Sequence, residues 1–127
     1  MPHLTLEYSA NLTEPANLQG FFASLHEALA TLGIALDDCK SRAIRYESYR
    51  AGTGAPGRAF VHLTLAILDR RSPETQRAAG ELALRLLQDA FAATELDCDL
   101  TVEVREMRAT GYFKARPGSP ISSISAR

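Results

Sequence analysis

The stretch His3-Leu4-Thr5-Leu6 returns further along the chain as His62-Leu63-Thr64-Leu65, a shift of 59 residues. The same shift places Asp38-Cys39 on Asp97-Cys98 without a gap. Three more identities fall in this frame, namely Leu25 with Leu84, Glu47 with Glu106 and Gly52 with Gly111. Chance would give roughly three or four matches at ordinary composition. The sequence therefore predicts two copies of one structural unit.

Each half opens with a segment typical of a β-strand, about His3 to Tyr8 and about Ala59 to Leu68. Both segments are rich in bulky or β-branched apolar residues with partial alternation. In the first half, apolar residues at helical spacing predict a helix from Leu18 to Leu32. Pro15 lies near its start, and Gly33 is placed to cap its end.

The second half repeats this order of elements. Ser72-Pro73-Glu74 predicts an N-cap, a proline at the first helical position and an acidic first turn, with the helix running to about Ala92. Second strands are predicted at about Lys40 to Tyr49 and about Asp99 to Arg105. Because a crossover helix returns the chain parallel to its start, the duplicated unit is predicted to be β-α-β.

Two such units predict an α+β fold, with a four-stranded sheet carrying both helices on one face. We expect one domain over residues 1–127, with repeats at about 2–58 and 59–114 joined by a glycine-rich turn. The uncovered face and the two sheet edges predict oligomerisation. The tail, residues 115–127, has little to bury and is expected to order against a neighbouring subunit.

The composition excludes several classes of protein. The chain has 127 residues, with 14 Lys and Arg against 15 Asp and Glu and a net charge of −1, which argues against binding to nucleic acid or to an anionic membrane surface. No apolar run reaches the roughly 18 residues of a membrane span. Cys39 and Cys98 are interpreted as reduced thiols, since they lack the spacing of a zinc site. A cytoplasmic protein is expected.

A search for motifs gives mostly negative results. The sequence has no P-loop, no GxGxxG and no HExxH pattern. A histidine metal site would need His3, His26 and His62, but the first and last occupy equivalent strand positions and are interpreted as strand-face or packing residues. We predict neither a metal nor a cofactor.

Pro2 follows Met1 directly, at the start of a predicted core strand. Removal of Met1 would leave a secondary amine at the chain terminus. An α-amino group has an unperturbed pKa of about 8, and burial or adjacent cations would lower that pKa further. Such a group is a candidate general base near neutral pH. The alternative is that Met-Pro is simply a common start of a protein chain.

Five stretches form a pattern in a fixed order and spacing. They are Met-Pro-His-Leu-Thr-Leu-Glu-Tyr-Ser-Ala-Asn-Leu at 1–12, Lys-Ser-Arg-Ala at 40–43, Ala-Phe-Val-His-Leu-Thr-Leu at 59–65, Arg71-Ser72 and Tyr112-Phe113-Lys114. Together they resemble the 5-carboxymethyl-2-hydroxymuconate isomerases of the tautomerase superfamily. The resemblance covers nearly the whole chain except about the last ten residues. It implies two β-α-β units per chain and assembly into a homotrimer.

The resemblance also implies roles for particular residues. Pro2 would be catalytic through its amine, while Arg42 and Arg71 would bind substrate carboxylates. Lys40 stands where some relatives have arginine, which keeps the charge but loses the bidentate fork.

The duplication bears on the number of sites. In the frame of 59, Pro2 falls on Val61 and Arg71 falls on Leu12. Each half therefore retains a different part of the site, and one complete site per chain is expected, assembled within or between subunits.

The implied reaction is that of an isomerase in aromatic-acid catabolism, without a cofactor. It would convert a 2-hydroxymuconate-type dienol, a dicarboxylate or tricarboxylate, to its conjugated 2-oxo isomer by proton transfer through Pro2. Two alternatives stay open. The chain could be another tautomerase, hydratase or dehalogenase of an unsaturated acid, or a non-catalytic trimer that binds a small molecule.

Overall fold

The computed structural model describes residues 1–13 and 17–123, so the predicted position of Pro15 lies outside the described residues. The elements in chain order are β1 (His3–Ser9), α1 (Leu18–Ala30), β2 (Lys40–Tyr46), β3 (Arg58–Leu68), α2 (Pro73–Ala90), β4 (Asp97–Met107), β5 (Phe113–Lys114) and β6 (Ser122–Ser123). Short 3-10 turns at Leu36–Asp38 and Ala109–Gly111 lead into β2 and β5. Within the described residues, no helix is long and apolar enough to span a membrane.

The four long strands form one mixed sheet in the order β2-β1-β3-β4. β1 runs parallel to β2 and β3 runs parallel to β4, as each crossover helix requires, while β1 and β3 pair antiparallel in the centre. Thr5 lies directly opposite Thr64, its own equivalent in the repeat, so the two units meet about an approximate two-fold relation. The predicted fold class is confirmed.

The helices cover one face of this sheet. Every second residue of β3 is buried beneath them, namely Ala59, Val61, Leu63, Leu65 and Ile67. The same core receives Phe21, Phe22, Leu25 and Leu29 from α1 and Ala79, Ala83 and Leu87 from α2. The residues between the buried positions of β1 and β3 are only partly buried and lie on the opposite face, which neither α1 nor α2 covers. This second face is called the open face below.

The helix ends follow the capping residues of the sequence. The Ser72 side chain accepts a hydrogen bond from the backbone N–H of Thr75, as an N-cap does. After α1 the chain turns at Gly33, whose φ of 83° favours glycine, and the N–H of Ile34 donates to the carbonyl of Leu29. Three predicted ends were too late: α1 stops at residue 30 rather than 32, β2 at residue 46 rather than 49 and α2 at residue 90 rather than 92.

The strand registers correct the gapless repeat frame. His3 lies opposite Lys40, and its equivalent His62 lies opposite Thr101. The separation in sequence from His62 to Thr101 is two residues longer than that from His3 to Lys40. The frame therefore holds for the first strand of each unit and is wrong by two residues at the second strand. An even offset keeps each residue on its side of the sheet, so the buried pattern survives. The two cysteines, both free thiols, do not occupy equivalent positions.

The C-terminal region contains a pair of short strands that the sequence did not predict. β5 pairs antiparallel with β6, with Phe113 opposite Ser123 and Lys114 opposite Ser122. Residues 122–123 of the tail therefore pair with β5 of the same chain, and the expected contact of the tail with a neighbouring subunit stays a prediction. Residues 124–127 lie outside the described residues.

Candidate active site

Pro2 is completely buried where the chain enters β1. Its carbonyl accepts a hydrogen bond from the backbone N–H of Lys40, 3.1 Å away, which continues the β1–β2 pairing to the N-terminus. A cavity of about 20 Å³ adjoins it, lined by Met1, Pro2, Ile34, Ile67, Leu68 and Arg71. That volume holds about one water molecule. Pro2 therefore lies in a tight corner with apolar side chains on one part of its wall and a guanidinium on another.

Arg71 reaches this corner from the turn before α2. Its Nη1 donates to the carbonyl of Gly33 at 3.2 Å, so the turn after α1 holds the side chain. The backbone carbonyl of Arg71 in turn accepts from the side-chain amide of Gln76 in the first turns of α2. Both contacts fix a half-buried arginine beside Met1 and Pro2. The arginine singled out in the sequence thus lines the cavity that Pro2 lines.

Lys40 and the α-amino group of Met1 meet at one backbone oxygen. The carbonyl of Asp38 accepts from the Met1 nitrogen at 2.6 Å and from Lys40 Nζ at 3.2 Å. Burial lowers the pKa of this N-terminal amine below its ordinary value, and the charges of Lys40 and Lys114 lower that pKa further, against an opposing effect of the Asp38 carboxylate. The surroundings of the N-terminus thus favour a neutral amine.

Arg42 lies on the open face of β2 and contacts the ring of His3. Its Nη2 donates to His3 Nδ1 at 2.7 Å, and His3 Nε2 lies 2.8 Å from the Tyr112 hydroxyl. Since a guanidinium can only donate, Nδ1 must accept, and the proton of the neutral ring is on Nε2. Burial lowers the pKa of His3, and Arg42, the N-terminal amine and Lys40 add to this effect. His3 is therefore neutral at pH 7.

Among the described residues, the second half of the chain has no counterpart of the contact between Arg42 and His3. In the strand registers, the residue of β4 equivalent to Arg42 is Glu103, whose charge is opposite. Glu103 lies 3.7 Å from His62, the equivalent of His3. The residue in the frame of Pro2 is Val61, which is completely buried. The basic cluster and the candidate amine therefore occur together only in the first half among the described residues.

The three histidines lie in three separate places. His3 is on β1, His26 on α1 bonds Ser41 Oγ at 2.7 Å through Nε2, and His62 on β3 bonds Thr101 Oγ1 at 2.7 Å through Nδ1. Within residues 1–13 and 17–123, no group of three or more His, Cys, Asp or Glu is arranged to hold a metal ion. The interpretation of His3 and His62 as strand-face residues is confirmed, with side-chain partners that the sequence did not predict.

All four residues singled out in the sequence gather around the N-terminus of one chain. Arg71 borders the cavity with Pro2, Lys40 shares an acceptor with the terminal amine, and Arg42 contacts the residue after Pro2. The sequence missed the contact between His3 and Tyr112, which are 109 residues apart. The only signal for Tyr112 was its place in a stretch that resembles the isomerases.

The double β-α-β fold is that of the tautomerase superfamily. A fused 4-OT, described as a symmetric trimer, has the same fold, with a TM-score of 0.69 at 16% identity over 98% of this chain and 99% of that one. Within this class, the chain belongs to the 5-carboxymethyl-2-hydroxymuconate isomerase family, whose model matches residues 2–118.

Two relatives support this membership. The 5-carboxymethyl-2-hydroxymuconate Delta-isomerase of Escherichia coli is 36% identical over 117 residues, which cover 90% of this chain and 93% of the relative. The crystal structure of a 5-carboxymethyl-2-hydroxymuconate isomerase from Deinococcus radiodurans R1 matches with a TM-score of 0.81 at 32% identity, over 90% of this chain and 88% of that one. The family resemblance found in the sequence is confirmed.

Proposed function

We propose that this protein is an isomerase that converts 5-carboxymethyl-2-hydroxymuconate to its conjugated 2-oxo isomer, as a step of aromatic-acid catabolism. Membership of the isomerase family gives the substrate class. The observation that carries the mechanism is the buried Pro2, which lines one cavity with Arg71 at a chain terminus where burial and the Lys40 charge lower the pKa of the amine. A base whose pKa is lowered and that lies near cations suits a substrate that carries negative charge.

The reaction moves one proton across a conjugated chain. The dienol carries its proton on the 2-hydroxyl oxygen, and the conjugated 2-oxo product carries that proton on carbon 5. With Met1 removed, the Pro2 nitrogen is the terminal amine, and it accepts the proton from oxygen and returns it to carbon. One group thus acts first as base and then as acid, and no cofactor is required.

The cations have separate roles in this proposal. The substrate carries three carboxylates, and Arg71 and Arg42 each offer a planar donor fork that matches one of them. Lys40 supplies a compact charge that attracts the substrate and lowers the pKa of an amine at the chain terminus. Because negative charge spreads along the dienolate in the transition state, preorganised donors of this kind stabilise it by about 2–4 kcal/mol each.

The assembly and the compartment are part of the same proposal. The open face carries partly buried apolar residues that neither α1 nor α2 covers, and a fused 4-OT of the same fold is described as a symmetric trimer. We therefore expect a homotrimer in which the open face takes part in the contacts between subunits, with one site per chain. The two free cysteines suit a reducing compartment, the cytoplasm.

An ultraviolet time course tests the proposed function. Protein shown by mass spectrometry to lack Met1 is mixed with 5-carboxymethyl-2-hydroxymuconate, and loss of the dienol absorbance is recorded against a buffer blank. Rapid loss above the blank, slower with 2-hydroxymuconate, which lacks the third carboxylate, is the expected result. No acceleration with either dienol would contradict the proposal.

Substitution of Lys40 is expected to change the pH dependence of the reaction. The Lys40 charge lowers the pKa of the terminal amine, so Lys40→Met should raise that pKa. Since only the neutral amine is a base, the midpoint at which kcat/KM rises with pH should move upward, and activity at pH 7 should fall. Profiles from pH 5 to 9 measure this midpoint.

Lys40→Arg is the matched control, because it retains the positive charge. The midpoint of its kcat/KM profile should equal that of the unaltered protein, even if the altered side chain changes KM. A midpoint that stays in place in Lys40→Met would remove Lys40 from the control of the amine.

A further inference from the structure

Arg42, His3 and Tyr112 form one directed chain of hydrogen bonds. Arg42 donates to His3 Nδ1, so the ring proton is on Nε2 and His3 donates to the Tyr112 oxygen. The His3 and Tyr112 rings also pack against each other, with centroids 5.9 Å apart. The direction of the chain follows from the guanidinium, which has no acceptor.

The Tyr112 hydroxyl can still donate a hydrogen bond of its own. Its oxygen accepts from His3, and among the side chains described, those of residues 1–13 and 17–121, no acceptor for the hydroxyl hydrogen is found. Tyr112 is half-buried between the 3-10 turn at residues 109–111 and β5. Because His3 joins this hydroxyl to Arg42, one of the arginines proposed to bind a carboxylate, the hydroxyl lies beside that part of the candidate site.

We propose that Tyr112 is a substrate-binding residue that donates a hydrogen bond to a substrate carboxylate, and that His3 is the positioning residue that orients both Tyr112 and Arg42 for it. This inference rests on the proposed function and extends its set of substrate contacts. It adds a neutral, directional donor to a cluster whose other members are cations.

The surroundings of Tyr112 select an anionic acceptor. The terminal amine is under the influence of Lys40, Lys114 and one carboxylate, that of Asp38, and His3 is under the influence of Arg42 and Lys40. Because the cations outnumber the carboxylate, a carboxylate is the group that the cluster attracts. A phenol that donates to a carboxylate makes a charge-assisted hydrogen bond, shorter and stronger than a neutral one. Lys40 is a point charge without a preferred direction, whereas Tyr112 fixes the orientation of the carboxylate that it binds.

The first experiment compares Tyr112→Phe with the unaltered protein. The substitution removes the hydroxyl and keeps the ring that packs on His3. The hydrogen bond is made in both the bound substrate and the transition state, so KM should rise about tenfold with a smaller change in kcat. The affinity for pimelate, a saturated dicarboxylate that cannot react, should fall about tenfold in calorimetry. Tyr49→Phe, in the loop after β2, is the control and should change neither value.

The second experiment tests the role of His3. Nitrogen-15 NMR of the imidazole at pH 7 should show the neutral ring with its proton on Nε2. In a double-mutant cycle, His3→Ala and Tyr112→Phe should each raise KM, and the double variant should be little worse than His3→Ala alone. A ring protonated at Nδ1, or fully additive effects, would overturn the positioning role.

The outcomes separate this inference from the proposed function. Protein that binds pimelate but does not convert the dienol refutes the function, and the pimelate affinity of Tyr112→Phe then still decides the role of Tyr112. If Tyr112→Phe converts the dienol as well as the unaltered protein does, this inference is refuted and the proposed function stands. Failure of the unaltered protein to bind pimelate at all also overturns the carboxylate contact.

Discussion

Protein that retains Met1 is expected to lose at least about a hundredfold in kcat/KM relative to the processed form. With Met1 in place, the Pro2 nitrogen belongs to an amide and cannot accept a proton. The nearest free amine is then that of Met1, one residue away and hydrogen-bonded to the carbonyl of Asp38. General base catalysis contributes about 10²–10⁴ to rates, so loss of the correctly placed base should cost that much.

The two forms can be compared at identical sequence. The fold described here already includes Met1, with Pro2 fully buried behind it, so its retention should not unfold the protein. Circular dichroism and sedimentation would verify that both forms share one fold and one assembly, and mass spectrometry would verify the terminus. Pro2→Ala, processed to a free amine, should keep part of the activity. Equal turnover by both forms would refute the role of Pro2 as base.

The fold could be predicted from the sequence because its helices and strands are signalled by short stretches of residues, and because the same order of elements occurs twice. Alternation in β3 and the capping residues Ser72 and Gly33 are short-range signals, and the structure follows each of them. The repeat added the topology, since a β-α-β unit returns its second strand parallel to the first.

Two features of the fold required three-dimensional information. The register of β4 differs from that of β2 by two residues, and because an even offset leaves the same side chains buried, the hydrophobic pattern does not reveal it. β5 and β6 have two residues each, too few for a periodic pattern, and their pairing depends on where the chain turns back.

The candidate site was predicted in part. Single residues could be found from the sequence, whereas contacts between distant residues could not. Pro2 was singled out by its place directly after Met1 and Arg71 through motifs shared with a family, and the structure brings them to one cavity. The contact of His3 with Tyr112 joins positions 109 residues apart, which no local pattern reports. His62 has the same sequence motif as His3, so the motif alone could not distinguish the histidine beside cations from the one beside a carboxylate.

Replacement of Arg71 by alanine is expected to lower kcat/KM by roughly 30- to 1000-fold, the equivalent of about 2–4 kcal/mol of transition-state stabilisation. Arg71 is the cation that lines the cavity shared with Pro2, so it is placed to hold the carboxylate nearest to the reacting proton. Arg71→Lys should recover only part of the loss, because an ammonium cannot form the bidentate pair. Steady-state kinetics with the dienol give these values.

A purely structural role for Arg71 makes a different prediction. The side chain also donates to the carbonyl of Gly33, and loss of that bond should cost only about 1 kcal/mol of folding stability. Thermal unfolding would measure this cost separately from activity. Arg85→Ala removes an exposed arginine that pairs with Glu81 at 3.9 Å on α2, and it should stay within about twofold of the unaltered rate. If Arg71→Ala were as active as Arg85→Ala, carboxylate binding would have to be reassigned to Arg42 and Lys40 alone.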